Sequence, residues 1–204
     1  MLNNLQPILI EPPDDPRYRK REGKRPSHKR PFRILRPIEY ELLKQGARKK
    51  ENQLNLDVLL LTGLRYEEAR RLQQNPEWFD GNFIRIPEMK VTRQRRQRQR
   101  WVRLSLIGKT ILPFFFDSRP LPDPHVWKEN LVRWAERANL DPSGLGAKTT
   151  RKTWESWLVF CYPHRQIEII QSQGHGLLTA IEHYINMPFT EDDRRMMEKY
   201  LHGW

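Results

Sequence analysis

The sequence predicts an α+β domain, mostly helical, with one small antiparallel sheet. Three observations carry that expectation. Apolar residues recur at helical spacing in several separate stretches, only two stretches alternate with period two, and Pro and Gly stand where the periodic stretches should begin and end.

Residues 1–33 form one compositional unit. Pro12, Pro13, Pro16, Pro26 and Pro31 alternate with a run of arginines and lysines, and few large apolar residues follow Ile10. Such a segment cannot bury enough surface to offset its ordering entropy, so it reads as a flexible basic arm, either lying on nucleic-acid phosphates or simply solvated. Pro37 suits a first helical position, with Ile38, Leu42 and Leu43 as a short apolar face. Leu54, Val58 and Leu61 mark the next helix, which Gly63 can end in a left-handed turn, and Tyr66 to Leu72 reads as another. Arg65 then falls in the tight joint between two helices.

The strands expected are Phe83 to Ile86 and Trp101 to Leu106, the second because Val102, Leu104 and Leu106 alternate with Trp101, Arg103 and Ser105. Between them runs a long hairpin tip carrying Lys90, Arg93, Arg95, Arg96, Arg98 and Arg100. Five arginines in eight residues repel one another, which favours a phosphate-binding tip over a merely solvated loop. Trp127, Leu131, Trp134 and Ala138 share one helical face, and Trp154, Trp157, Leu158 and Cys161 another. These tryptophans read as core rather than as stacking platforms. Ile167 and Ile170 begin a short helix that Gly174 can close. Thr179 with Glu182 has capping-box spacing and should start a helix carrying Tyr184. A terminal tail helix over 191–204 has Met197, Tyr200, Leu201 and Trp204 on one face. That stripe must be buried, either on its own domain or on a neighbouring subunit.

The chain has 204 residues, a formal net charge of +12 and a pI near 10.1, which points to a polyanionic partner, most often nucleic acid. The single Cys161 excludes an internal disulfide and fits a reducing compartment. The longest apolar runs are far too short to span a bilayer, and the N-terminus has no apolar signal core. The expected location is therefore cytoplasmic and DNA-associated, with no membrane contact. His164, His175 and His183 are close in sequence, but nothing completes a metal-ligand set, so neither a metal nor any other cofactor is expected.

Six polar residues stand out for their order: Arg65, Lys90, Lys148, Arg151, His175 and Tyr184. Cations stabilise a pentavalent phosphate, and a tyrosine is a possible nucleophile toward one. Each piece alone is weak. Together, Thr62-Gly63-Leu64-Arg65-x-x-Glu68, Lys90 between two strands, Lys148-x-x-Arg151, and Gly174-His175 followed by Tyr184 resemble the boxes of the tyrosine-recombinase (phage-integrase) catalytic domain over roughly residues 37–190. Lys148 stands where many members have histidine, and Gln173 where leucine is usual. Residues 1–33 are too short and too polar to form the helical DNA-binding domain that members carry before the catalytic one.

The resemblance implies a catalytic domain over 34–190 with the tyrosine-recombinase fold. It implies an integrase of a virus or mobile element, acting as a homo-oligomer on double-stranded DNA through a 3′-phosphotyrosine intermediate. Arg65 and Arg151 would fork onto the scissile phosphate and His175 would add a hydrogen bond. Tyr184 would attack, Lys148 would take its proton, Lys90 would protonate the departing 5′ oxygen, and Glu68 would hold Arg65 or a neighbouring helix. His183 competes with His175 for its role. Type IB topoisomerase-like relaxation, and DNA binding without cleavage, remain open alternatives.

Overall fold

The computed structural model describes the backbone alone at residues 8–10, 32, 89–92 and 95–97, and whole residues at 33–88, 99–174 and 189–204. The architecture is α+β and mostly helical. Among the described residues there are three two-stranded antiparallel sheets: β1 (Ile8–Ile10) with β2 (Phe32–Ile34), β3 (Phe83–Ile86) with β6 (Arg100–Arg103), and β4 (Met89–Thr92) with β5 (Arg95–Gln97). Three residues expected in the free arm, Ile8–Ile10, are thus paired. At the arm's other end Arg33 is buried and donates from Nη2 to Glu39 at 2.6 Å. Residues 11–31 lie outside the described residues.

The helices are α1 (Pro37–Gly46), α2 (Lys50–Thr62), α3 (Tyr66–Gln74), α4 (Leu106–Phe116), α5 (Pro124–Arg137), α6 (Thr149–Cys161), α7 (Gln166–Gln173) and α8 (Glu191–Leu201). Helices α2 and α6 form the middle. Leu56, Val58, Leu59, Leu60 and Leu61 of α2 are fully buried, as are Trp154, Trp157 and Leu158 of α6. Helix α2 packs on α4 and α6, α1 on α5, and α6 also on β2 and α8. The backbone after β2 is clamped to α6 by two bonds: Leu35 N donates to Thr153 Oγ1 at 3.0 Å, and Trp157 Nε1 donates to Leu35 O at 2.9 Å. Trp127 and Trp134 of α5 are core residues, their rings 5.4 Å apart edge to face.

Helix starts and stops follow local chemistry. Pro37 opens α1, whose buried face is built from Tyr40 and Leu43 with Glu39, while Ile38 and Leu42 are only half-buried. Gly63 ends α2 at φ 57° and Gly174 ends α7 at φ 66°. The buried face of α7 is Ile169, Ser172 and Gln173, whereas Ile167 is 68% exposed. The expected strand Trp101–Leu106 is shorter: β6 ends at Arg103, and Leu106 opens α4. Ser105 decides this, because its hydroxyl accepts from Gly108 N at 3.3 Å and caps the helix. The alternation ran past the strand's end only because Leu106, half-exposed, matched it by position.

The tail helix docks on its own chain. Met197, Leu201 and Trp204 are buried, Tyr162 stacks on Trp204, and Trp204 Nε1 donates to Arg103 O at 3.1 Å. Leu106 N donates to His202 O at 2.9 Å, and Tyr200 hydrogen-bonds Glu41. Thr190 caps the helix, accepting from Asp193 N while Asp193 accepts from Thr190 N. The helix that should carry Tyr184 lies outside the described residues. No helix among them is long and apolar enough to cross a membrane.

Candidate active site

Arg65 is the residue before α3, and its position comes from the α2–α3 joint. Glu68, one turn into α3, accepts from Arg65 N at 2.9 Å through one carboxylate oxygen and from Arg65 Nη1 at 2.8 Å through the other. Arg65 Nη2 donates to Gly174 O at 3.3 Å across 109 positions of chain. Arg151, in the first turn of α6, reaches the same place from the other side. Its Nη1 donates to Gly63 O at 2.6 Å, and its Nη2 donates to Gln173 O. The two guanidinium groups therefore grip consecutive carbonyls at the C-terminal end of α7, where the helix leaves its carbonyls unbonded and its dipole favours cations.

Gly63 is required at this joint for space as well as for φ. A Cβ there would lie 2.5 Å from Gln173 Oε1 and 2.7 Å from Trp154 Cδ1. Gln173, where the family resemblance leads one to expect leucine, is fully buried against Gly63. Its side-chain amide makes no hydrogen bond among the described residues.

The electrostatics divide the site in two. Arg151 is 5% exposed, and burial, reinforced by the charge of Arg65, lowers its pKa to about 10. Arg65 is more accessible, with 38% of its side chain exposed. Glu68 shows the opposite balance. Burial would raise its carboxyl, yet the Arg100 hydrogen bond and the charges of Arg100 and Arg65 hold it at about 2.

Arg100 corrects one expectation. Instead of reaching toward phosphate from the hairpin tip, it is 8% exposed and forks onto Glu68, with Nη1 to Oε1 at 3.0 Å and Nη2 to Oε2 at 2.6 Å. Its neighbours explain the burial, since a guanidinium with a matched carboxylate can be taken out of water. Sequence inspection gave no sign of this pairing, because the partners are 32 positions apart.

Lys148 precedes α6 by one residue and is exposed, one turn before Arg151. Lys152, which carried no motif, is half-buried one residue after Arg151. Burial and then the charges of Arg151 and Lys148 lower its pKa, with Glu155 opposing. Lys90 lies on β4 opposite Arg96 of β5, so the basic tip is itself a hairpin. Arg95 is on β5. Arg93, Arg98, His175 and Tyr184 fall outside the described residues. Chain continuity places His175 directly after Gly174, the residue Arg65 holds. Among the described residues, no group of three or more His, Cys, Asp and Glu side chains is placed to hold a metal ion.

Helical layers around α2 and α6, with a short sheet beside the joint that gathers the arginines, make up the fold of a tyrosine-recombinase catalytic domain. Two solved structures share it. XerA recombinase superposes with a TM-score of 0.59 at 18% identity, over 88% of this chain and 66% of that one. XerH, a site-specific recombinase solved with a palindromic difH substrate in a post-cleavage complex, gives 0.54 at 18% identity, over 86% of this chain. The chain thus spans 66% and 54% of the lengths of these two recombinases. No family model matches the sequence, and no curated protein matches it.

Proposed function

We propose that the chain is a site-specific DNA recombinase that cuts and rejoins DNA through a covalent 3′-phosphotyrosine intermediate, needing neither metal nor ATP. The observation that carries this reading is the convergence of Arg65 and Arg151 on the last carbonyls of α7, one residue before His175 and ten before Tyr184. Two guanidinium groups from separate elements, one of them nearly buried, suit a phosphate whose charge grows in the transition state.

In this reading the Tyr184 oxygen bonds to phosphorus as the bond from phosphorus to the 5′ oxygen breaks. The phenolic proton passes to Lys148, and Lys90 supplies a proton to the leaving oxygen. Rejoining is the reverse, with a 5′ hydroxyl as nucleophile, and the number of phosphodiester-type bonds is unchanged throughout. His175 hydrogen-bonds the phosphate. Arg93, Arg95, Arg96 and Arg98 hold the backbone of double-stranded DNA from the hairpin, and the arm adds further contacts. The catalytic unit is 34–190, with 191–204 as its brace. Exchange between two duplexes calls for a homo-oligomer on DNA. Integration for a virus or mobile element is the biological setting that fits.

The test is a denaturing gel of protein incubated with a labelled, nicked site sought in the sequence flanking the gene. Wild type should form a covalent adduct and Tyr184→Phe none, while both bind DNA equally. An adduct that persists in Tyr184→Phe shows that another residue attacks. Relaxation of supercoiled DNA without strand exchange would make the protein topoisomerase-like instead.

A further inference from the structure

We infer that Arg100 is a positioning residue for cleavage, tying the base of the hairpin that carries Lys90 to the joint that holds Arg65 and Arg151. This rests on the reading of the site as one that cleaves a phosphodiester. Arg100 opens β6 and pairs with Ile86 of β3. Three residues earlier, Gln97 ends β5, which pairs through Arg96 with Lys90. Arg100 is therefore the point from which the Lys90 hairpin departs.

One side chain here bonds two other elements at once. The fork binds both oxygens of Glu68 on α3, at 3.0 and 2.6 Å, and Nε donates to Ser172 O on α7 at 3.1 Å. Glu68 in turn fixes the backbone and the guanidinium of Arg65. The α7 contact sits directly under the turn that the arginines grip. Gly174, at φ 66°, has no room for a side chain, because a Cβ would lie 2.7 Å from Arg100 Cδ and 3.0 Å from Nε. A second bond repeats the tie one turn of strand further on, with Arg103 N donating to Ser172 Oγ at 3.0 Å. Lysine cannot reproduce this arrangement, since its ammonium lacks a planar fork with a third donor behind it. The start of β6, Arg65 and the end of α7 thus share one junction, from which the hairpin departs, and displacement of Arg100 should move the expected general acid relative to the arginine pair.

The experiment uses the full chain with Arg100→Gln and Arg100→Lys. Lysine keeps the positive charge opposite Glu68, so a folding failure in the glutamine variant leaves a usable protein. First, hydrogen exchange is measured without DNA. Peptides covering β4 and β5, and the start of α3, should exchange about 10-fold faster or more in Arg100→Gln, while α5 is unchanged. Hairpin exchange equal to wild type overturns the inference.

Second, adduct formation is measured at saturating nicked site. It should slow by roughly 10- to 100-fold with DNA affinity and its salt dependence unchanged, and recover in part on a substrate whose 5′ leaving atom is sulfur, which departs without a proton. A merely structural role would lower thermal stability and leave the rate per folded molecule intact. A role as a phosphate contact would weaken binding and reduce the salt slope by about one. Either outcome overturns the inference. If wild type forms no adduct, the proposed function fails, and the exchange measurement alone decides the coupling.

Discussion

Arg100 and Arg151 are both buried arginines that donate to carbonyls at the end of α7, Ser172 O and Gln173 O, yet they have different settings. Arg100 is matched by a carboxylate that takes both arms of its fork. Arg151 grips the carbonyls of Gly63 and Gln173, and its pKa falls to about 10 because burial, with Arg65 nearby, disfavours its charge. The carbonyl dipoles of Gly63 and Gln173 orient the Arg151 guanidinium without neutralising it. A guanidinium held by Glu68 is largely neutralised at close range. The first kind suits an incoming phosphate, and the second suits a joint. Residue type and burial are the same in both cases, so neither property by itself separates an arginine proposed to meet phosphate from one that holds a joint.

The comparison breaks most sharply in catalysis. Arg151→Ala should slow adduct formation by roughly 10² to 10³ or more, because a charge that stabilises the transition state is gone. Arg65→Ala should fall in the same range. Single-turnover rates on a nicked site would check both. Equal, small losses for Arg151→Ala and Arg100→Gln would erase the distinction.

Stability should reverse the ranking. Arg100→Met strands Glu68 as a buried, poorly compensated carboxylate and should cost about 3–5 kcal/mol. Arg151→Met removes a buried charge and leaves the carbonyls of Gly63 and Gln173 less well bonded, which should cost about 1–3 kcal/mol. Urea denaturation of the two proteins under identical conditions measures the difference. A larger loss for Arg151→Met contradicts the assignment.

The tail sharpens the comparison from behind. Trp204 bonds the backbone of Arg103 on the strand that Arg100 opens, and it stacks on Tyr162. Trp204→Ala should lose about 3–5 kcal/mol as a buried tryptophan truncation, with a melting temperature independent of protein concentration because the docking is within one chain. A mutant that melts like wild type but fails to self-associate would place the docking between subunits.

A further effect is a pH dependence. The pKa of Glu68 is depressed in the folded state from an ordinary value of 4.5 to about 2. Its contribution is therefore complete above pH 4.5 and is lost as pH falls from there toward 2. The linkage amounts to about 3 kcal/mol, and in Arg100→Gln most of it should vanish. Acid titrations of stability for wild type and variant, overlaid, should differ chiefly in that window.

Much of the framework was legible in the chain. The periodic tryptophans and leucines that mark α2, α5 and α6 are the core, because 3.6-residue spacing leaves an apolar stripe no other burial can satisfy. Gly63 and Gly174 end their helices as expected, since left-handed φ is cheap only for glycine. The order Arg65, Glu68, Arg151, Gly174 was likewise readable, as was a bond between Glu68 and Arg65, three positions apart on one helical start. The β6 strand was read too long because alternation is a statement about side chains. Whether the backbone continues or turns was settled by the Ser105 cap.

What the sequence determined by itself is what neighbouring residues decide among themselves: caps, stops, apolar faces, and a strongly basic balance that points to a polyanionic partner. Only the tertiary structure decided which arginine forks onto a carboxylate and which grips backbone carbonyls. Arg65, Arg100 and Arg151 are chemically identical in the sequence. Their difference arises from a carboxylate 32 positions away in one case and from carbonyls 22 and 88 positions away in the other. Desolvation and Coulomb energies depend on distance in space, and the chain's order carries no measure of that distance until it has folded.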